Sequence, residues 1–177
     1  MWSREYRTPA KGGHEFPASG QDTGQVALAL IFLPNMQTDY QMSCEGLGKW
    51  KEQAAWLVRF QQRKDKPGRT LQIYSQGEMH RAMLKGRAWI SAENGQILHL
   101  ETKLMEDIPA ISLSGSIISV EYAPVMFQSK NVELWLPRTI EAYWTISSHR
   151  IILYHTYRNF RLFAVETEQN IQKPKEQ

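Results

Sequence analysis

Gly86-Arg87-Ala88-Trp89-Ile90-Ser91, followed by Ala92-Glu93-Asn94-Gly95 and then Gln96-Ile97-Leu98-His99-Leu100-Glu101, is the stretch that decides the fold class of this chain. Asn94-Gly95 between two runs of alternating character predicts a tight hairpin, because both turn residues tolerate positive φ. In the second run Leu98, Leu100 and Leu104 share one face, while Ile97, His99, Glu101 and Lys103 share the other.

Outward from this hairpin the same texture recurs. Short runs rich in Val, Ile, Trp, Tyr and Phe are separated by turn residues at intervals of roughly ten, which is the pattern of a β meander. Upstream, Tyr40–Cys44 reads as a strand that breaks at Glu45-Gly46-Leu47-Gly48. A second strand covers Ala55–Gln62, where Trp56, Val58 and Phe60 alternate with Leu57, Arg59 and Gln61. Arg63-Lys64-Asp65-Lys66-Pro67-Gly68-Arg69 reads as a basic, solvated turn ahead of a strand at Thr70–Tyr74. Downstream, strands are expected at Ile111–Tyr122, Asn131–Leu136, Thr139–Ile146, Arg150–Tyr157 and Asn159–Val165. The short connections between the last four force antiparallel neighbours.

The C-terminal strands are apolar on both sides. Ile140, Ala142, Trp144 and Ile146 share a face while Tyr143 points the other way, and Ile151 and Leu153 oppose Ile152 and Tyr154. Such a pattern predicts that both faces are covered. Plain core packing is the ordinary cover; a helix, the far side of a curled sheet or a ligand are the others.

Ahead of the strands, residues 1–20 carry Pro9, Gly12, Gly13, Pro17 and Gly20 without periodicity and read as a flexible arm that Trp2, Tyr6 and Phe16 can pin to the body. Asp22 or Thr23 is a candidate cap for a buried helix running to about Leu33, where Pro34 stops it. The expectation is one domain over residues 21–166 and a disordered polar tail at 167–177.

With 177 residues, 42% of them apolar and 11% aromatic, the chain can bury a core of its own. That composition excludes collagen-like, disordered and coiled-coil classes. A net charge of +3 is too mild for a dedicated nucleic-acid surface. The single cysteine, Cys44, cannot form an intrachain disulfide and reads as a small strand residue. The longest apolar run, Val26 to Leu33, is less than half of a bilayer crossing, so no transmembrane segment is expected. It is also a poor export signal, since it follows Asp22 and ends at Pro34-Asn35 without a small-residue cleavage site.

Catalytic signatures are missing from the sequence. It contains no nucleophile elbow, zinc-protease pair, paired C-x-x-C, phosphate loop or dinucleotide fingerprint. His149 and His155 can share a strand face but stand about 20 Å apart there, too far for one zinc ion. His99 and Glu101 lie two apart on one face and form the one candidate acid–base pair, for which a satisfied surface or cavity-rim pair is the plainer reading. The expectation is a non-enzymatic protein with no catalytic residues, no metal site and no cofactor.

Three segments carry a resemblance: Trp56-Leu57-Val58-Arg59-Phe60, the hairpin Gly86 to Glu101, and Val120-Glu121-Tyr122-Ala123-Pro124-Val125 with Val132-Glu133-Leu134-Trp135-Leu136-Pro137. They resemble uncharacterised bacterial secreted proteins whose β meander is similar to that of the outer-membrane lipoprotein carrier and sorting (LolA-like) family. The resemblance spans roughly Tyr40 to Val165. It implies a mainly β (α+β) fold, a strongly curved, incompletely closed antiparallel half-barrel with a few covering helices around an apolar cavity for acyl chains. It further implies a periplasmic or secreted protein whose chain here begins after the family's export signal. On this reading Trp56, Val58, Phe60, Trp89, Leu98, Leu100, Trp135 and Trp144 line the ligand cavity of a lipid or lipoprotein carrier or sensor. The alternative is a non-enzymatic envelope module that binds a protein partner through a sheet edge or aromatic patch.

Overall fold

The computed structural model describes residues 27–66, 69–75 and 77–162. The arm expected at 1–20 with Trp2, Tyr6 and Phe16, the Asp22 or Thr23 cap, and the tail expected at 167–177 lie outside the described residues.

Strands dominate: β1 (Tyr40–Trp50), β2 (Gln53–Gln62), β3 (Leu71–Ser75), β4 (Glu78–Ala82), β5 (Leu84–Ser91), β6 (Ile97–Leu104), β7 (Leu113–Phe127), β8 (Val132–Ile146) and β9 (His149–Thr156). Seven of them form one sheet in the order β1-β2-β5-β6-β7-β8-β9, and β3 and β4 form a separate two-stranded hairpin inserted between β2 and β5. Every pairing is antiparallel. β1 and β9 are the free edges, so the sheet does not close into a barrel.

Several elements differ from the sequence reading, each for a physical reason. The first helix is a 3-10 turn over Ala27–Phe32. Pro34 then opens α1 (Pro34–Gln37) instead of ending helical structure, because the first helical position needs no N–H and Leu33 before it is extended. β1 runs straight through Glu45-Gly46-Leu47-Gly48 by a register shift between Cys44 and Gly46, where Gly46 takes φ 120°. The two strands expected at Asn131–Leu136 and Thr139–Ile146 are one strand, β8. Pro137 is accommodated where the register with β7 shifts between Glu121 and Tyr122. Asn159 to Leu162 is not strand, and the rest of the strand expected at Asn159–Val165 lies outside the described residues.

The decisive hairpin forms, with a longer turn than expected. The Ser91 N–H donates to the Gln96 carbonyl at 2.8 Å and the Gly95 N–H to the Ser91 carbonyl at 3.0 Å. Only Gly95 takes positive φ, at 72°. Ser91 Oγ accepts from the backbone N–H of Glu93, and Asn94 Oδ1 accepts from that of Gln96, so the side chains rather than a second left-handed residue complete the turn.

One face of the sheet, called inner here, carries the core. Cross-strand register places Phe60, Gly86, Thr102, Ile118 and Ala142 in one row and Val58, Ala88, Leu100, Val120 and Ile140 in the next. Leu28 and Ile31 of the 3-10 turn, Leu71 of β3 and Ala82 of β4 are buried in the same cluster. Their three-residue spacing explains why Leu28 and Ile31 are buried while Leu30 is exposed. Two polar links hold the start of β3 against the start of β1. The Arg69 guanidinium donates to the buried Asp39 carboxylate at 2.6 and 3.1 Å, and the Tyr40 and Thr70 hydroxyls share a hydrogen bond of 2.5 Å.

Candidate functional site

The residues expected to line a cavity separate into groups. Val58, Phe60, Leu100 and Trp144 share the inner face by register. Phe60 and Leu100 are fully buried in the core cluster, and Trp144 packs against it. Trp89 lies on the opposite, outer face, because alternation along β5 gives the inner positions to Leu84, Gly86 and Ala88. Leu98 falls at a register shift, since Trp89 pairs His99 while Ile90 pairs Ile97. Leu98 is buried outside the main cluster, and Ile97 takes the place against the core that alternation assigned to Leu98. Trp56 is 45% exposed, and Trp135 is half-buried where β7 and β8 run on beyond the start of β6.

Sequence reading missed a set of polar side chains on the inner face. Thr102 Oγ1, Ser116 Oγ, Tyr122 OH and His155 Nε2 are buried without a hydrogen-bond partner. Thr102 pairs Ile118, Ser116 pairs Trp144 and His155 pairs Ile140, while Tyr122 packs against the core cluster. Burial pushes the Tyr122 phenol well above its ordinary value, so it stays a neutral donor. Each buried polar atom left unpaired costs on the order of 1–3 kcal/mol, and a protein interior seldom keeps several of them. The signal in the sequence was the position of Thr102, Ser116 and His155 at inward phase within otherwise apolar rows.

The outer face holds a different assembly around His99. The imidazole is 2% exposed and lies parallel to the Trp50 ring, with centroids 3.7 Å apart, and Trp89 leans on it at 4.9 Å. His99 Nε2 is 3.2 Å from Glu101 Oε1, while Nδ1 is buried without a partner. Lys51 bridges to Glu121, the register partner of His99, at 3.2 Å. Burial lowers the His99 pKa below its ordinary value, against the opposing pull of Glu101 and Glu121. The neutral ring therefore donates Nε2–H to Glu101 and turns an acceptor at Nδ1 into the protein.

A histidine kept neutral by burial makes stability pH-dependent in one direction. Its contribution is complete above the unfolded value near 6.5, begins to fall as pH drops below it, and is lost once pH passes the depressed native value. Thermal melts from pH 8 to pH 5 are expected to show a falling melting temperature that His99→Gln flattens. An unchanged slope in the variant would place the acid sensitivity elsewhere.

Beside this assembly a depression of about 280 Å³ is lined by Arg59, Lys85, Gly86, Arg87, Glu101 and Lys103. Arg59 stands directly opposite Arg87, and Lys85 directly opposite Lys103. Arg87 is held by Glu45 at 2.9 Å. Among the described residues no carboxylate pairs with Arg59, Lys85 or Lys103.

Among the described residues no group of three or more His, Cys, Asp or Glu is arranged to hold a metal ion, and Cys44 is an exposed thiol. No described helix is long and apolar enough to cross a membrane. Comparison of the chain with protein-family models and with curated proteins, and of the fold with solved structures, finds no match.

Proposed function

We propose that the protein is a non-catalytic carrier or sensor of the bacterial envelope, periplasmic or secreted, that holds an acyl-chain amphiphile, a lipid or lipoprotein, against the inner face of its sheet. The observation that carries this reading is the set of unpaired polar atoms of Thr102, Ser116, Tyr122 and His155 within an apolar surface. An amphiphile would meet both components, its chain against Phe60, Leu100 and Trp144 and its polar head at the neighbouring Thr102 and Ser116 hydroxyls at one end of the set. The segments that resemble the lipoprotein carrier family support the same reading, with the sheet as an incompletely closed half-barrel. In this proposal Leu28, Ile31 and the β3–β4 hairpin act as the movable cover over the apolar face, and the groove forms when the cover lifts.

The test is titration with a naturally fluorescent fatty acid, competed by oleate, together with native mass spectrometry of the purified protein. The expected result is saturable binding of one chain per protein. Absence of saturable binding together with absence of copurified lipid would end the reading. A second reading, an interaction module for an envelope protein, is favoured by Leu47 and Trp56. They face each other across β1 and β2 and are both exposed beside a free sheet edge.

A further inference from the structure

An antiparallel sheet with one covered face ordinarily presents polar side chains on the other. The outer face here follows that rule in one area and departs from it in the adjoining one. One cross-strand row reads Gln61, Lys85, Lys103, Ile117, Tyr143 and Ile152 from β2 to β9. Its cationic half is the depression with Lys85 opposite Lys103, and with Arg59 opposite Arg87 in the next row. Like charges directly opposite each other on neighbouring strands destabilise a sheet. Arg87 is matched by Glu45 and stands opposite Glu101, which also lines the depression, whereas Lys85 and Lys103 face each other with no carboxylate bridging to either among the described residues. Its apolar half is open: Ile117 is 42%, Tyr143 37% and Ile152 63% exposed, and Tyr154 beside them is 55% exposed. The expectation that this second face is covered therefore does not hold for the described residues. Single exposed apolar side chains are ordinary, but adjoining ones on three neighbouring strands form a patch.

We propose that this outer face docks on an anionic membrane surface, with Arg59, Lys85 and Lys103 taking lipid phosphates and Ile117, Tyr143, Ile152 and Tyr154 entering the headgroup boundary. The order of the row matches the order of chemistry in a bilayer interface, where cations meet phosphate and aromatic or aliphatic side chains meet the upper acyl region. Charge complementarity sets the occupant. A strand-adding peptide would pair with the backbone of a free edge at β1 or β9, whereas this surface is made of side chains on the outer face from β2 to β9, and only Ile152 and Tyr154 belong to an edge strand. The inference goes beyond the acyl-binding proposal and uses the opposite face, so either can fail without the other.

The experiment is cosedimentation of the full chain with vesicles of equal phosphatidylglycerol and phosphatidylcholine, and with vesicles of phosphatidylcholine alone. Binding is expected to the anionic vesicles and to weaken as salt rises. Neutralising one lysine near an anionic surface costs about fivefold in affinity, so Lys85→Gln with Lys103→Gln is expected to weaken binding about 25-fold. Ile152→Ser is expected to weaken it while leaving the salt dependence unchanged. All three positions are exposed, and melting temperatures and fatty-acid binding of the variants are expected to match the parent. Equal binding to neutral vesicles, no binding to either, or an unaffected double variant would overturn the proposal. Displacement from anionic vesicles by millimolar inorganic phosphate would overturn it too, by reducing the depression to a site for small anions.

Discussion

Gly86→Ala is expected to destabilise the protein by more than about 3 kcal/mol, or to prevent soluble expression. Gly86 is an ordinary extended residue in β5, so conformational freedom is not the reason. A Cβ built there would overlap the Glu101 carbonyl oxygen on β6 and lie 2.6 Å from Cζ of Phe60. A side chain can swing aside, but the carbonyl belongs to the β5–β6 ladder and can move only by breaking it. Urea denaturation with matched circular dichroism measures the loss. A midpoint shift worth less than about 1 kcal/mol would mean that the β5–β6 spacing is looser than described.

Phe60→Ala is expected to cost about 3–5 kcal/mol, the range for an aromatic removed from a packed core. Among the described residues Phe60 is the largest fully buried side chain, and it lies over the position that Gly86 leaves empty. It also meets Phe32 edge-on at 5.9 Å and Tyr40 edge-on at 6.0 Å, so it joins the sheet to the segment preceding β1. The two substitutions are expected to be non-additive. With Phe60→Leu in place, Gly86→Ala loses one of its two clashes and costs less, while the clash with Glu101 remains.

Much of the sheet was legible from side-chain alternation and turn residues. The β5–β6 hairpin, β2 and the run from β7 to β9 appear where Val, Ile, Trp and Tyr alternate between Gly-, Asn- and Ser-containing turns. β4 escaped notice because Glu78-Met79-His80-Arg81-Ala82 has no apolar alternation and buries only Ala82. Bulges were equally silent. The shift at Leu98 exchanges the roles of Ile97 and Leu98, and the shift near Pro137 lets one strand pass a residue that ordinarily ends one.

The inner-face positions of Val58, Phe60, Leu100 and Trp144 follow from alternation alone. Trp89 does not, because its apolar character suggested the core while its phase placed it outward beside His99. Trp50 was hidden in the charged stretch Lys49-Trp50-Lys51-Glu52 at the end of β1, and only the fold brings it over His99. The apolar character of Tyr143, Ile152 and Tyr154 was visible in the sequence, but their exposure depends on which face the covering segments choose.

The central claim is that an acyl chain enters at the inner face. It is tested most directly with a photoactivatable fatty acid, crosslinked to the full chain and mapped by peptide mass spectrometry. The expected result is saturable labelling, competed by oleate, at Phe60, Leu100, Ser116 or Trp144 themselves, sited to the residue by fragmenting the labelled peptides. Labelling confined to the outer-face residues Ile117, Tyr143 and Ile152, or labelling that oleate does not reduce, would contradict it.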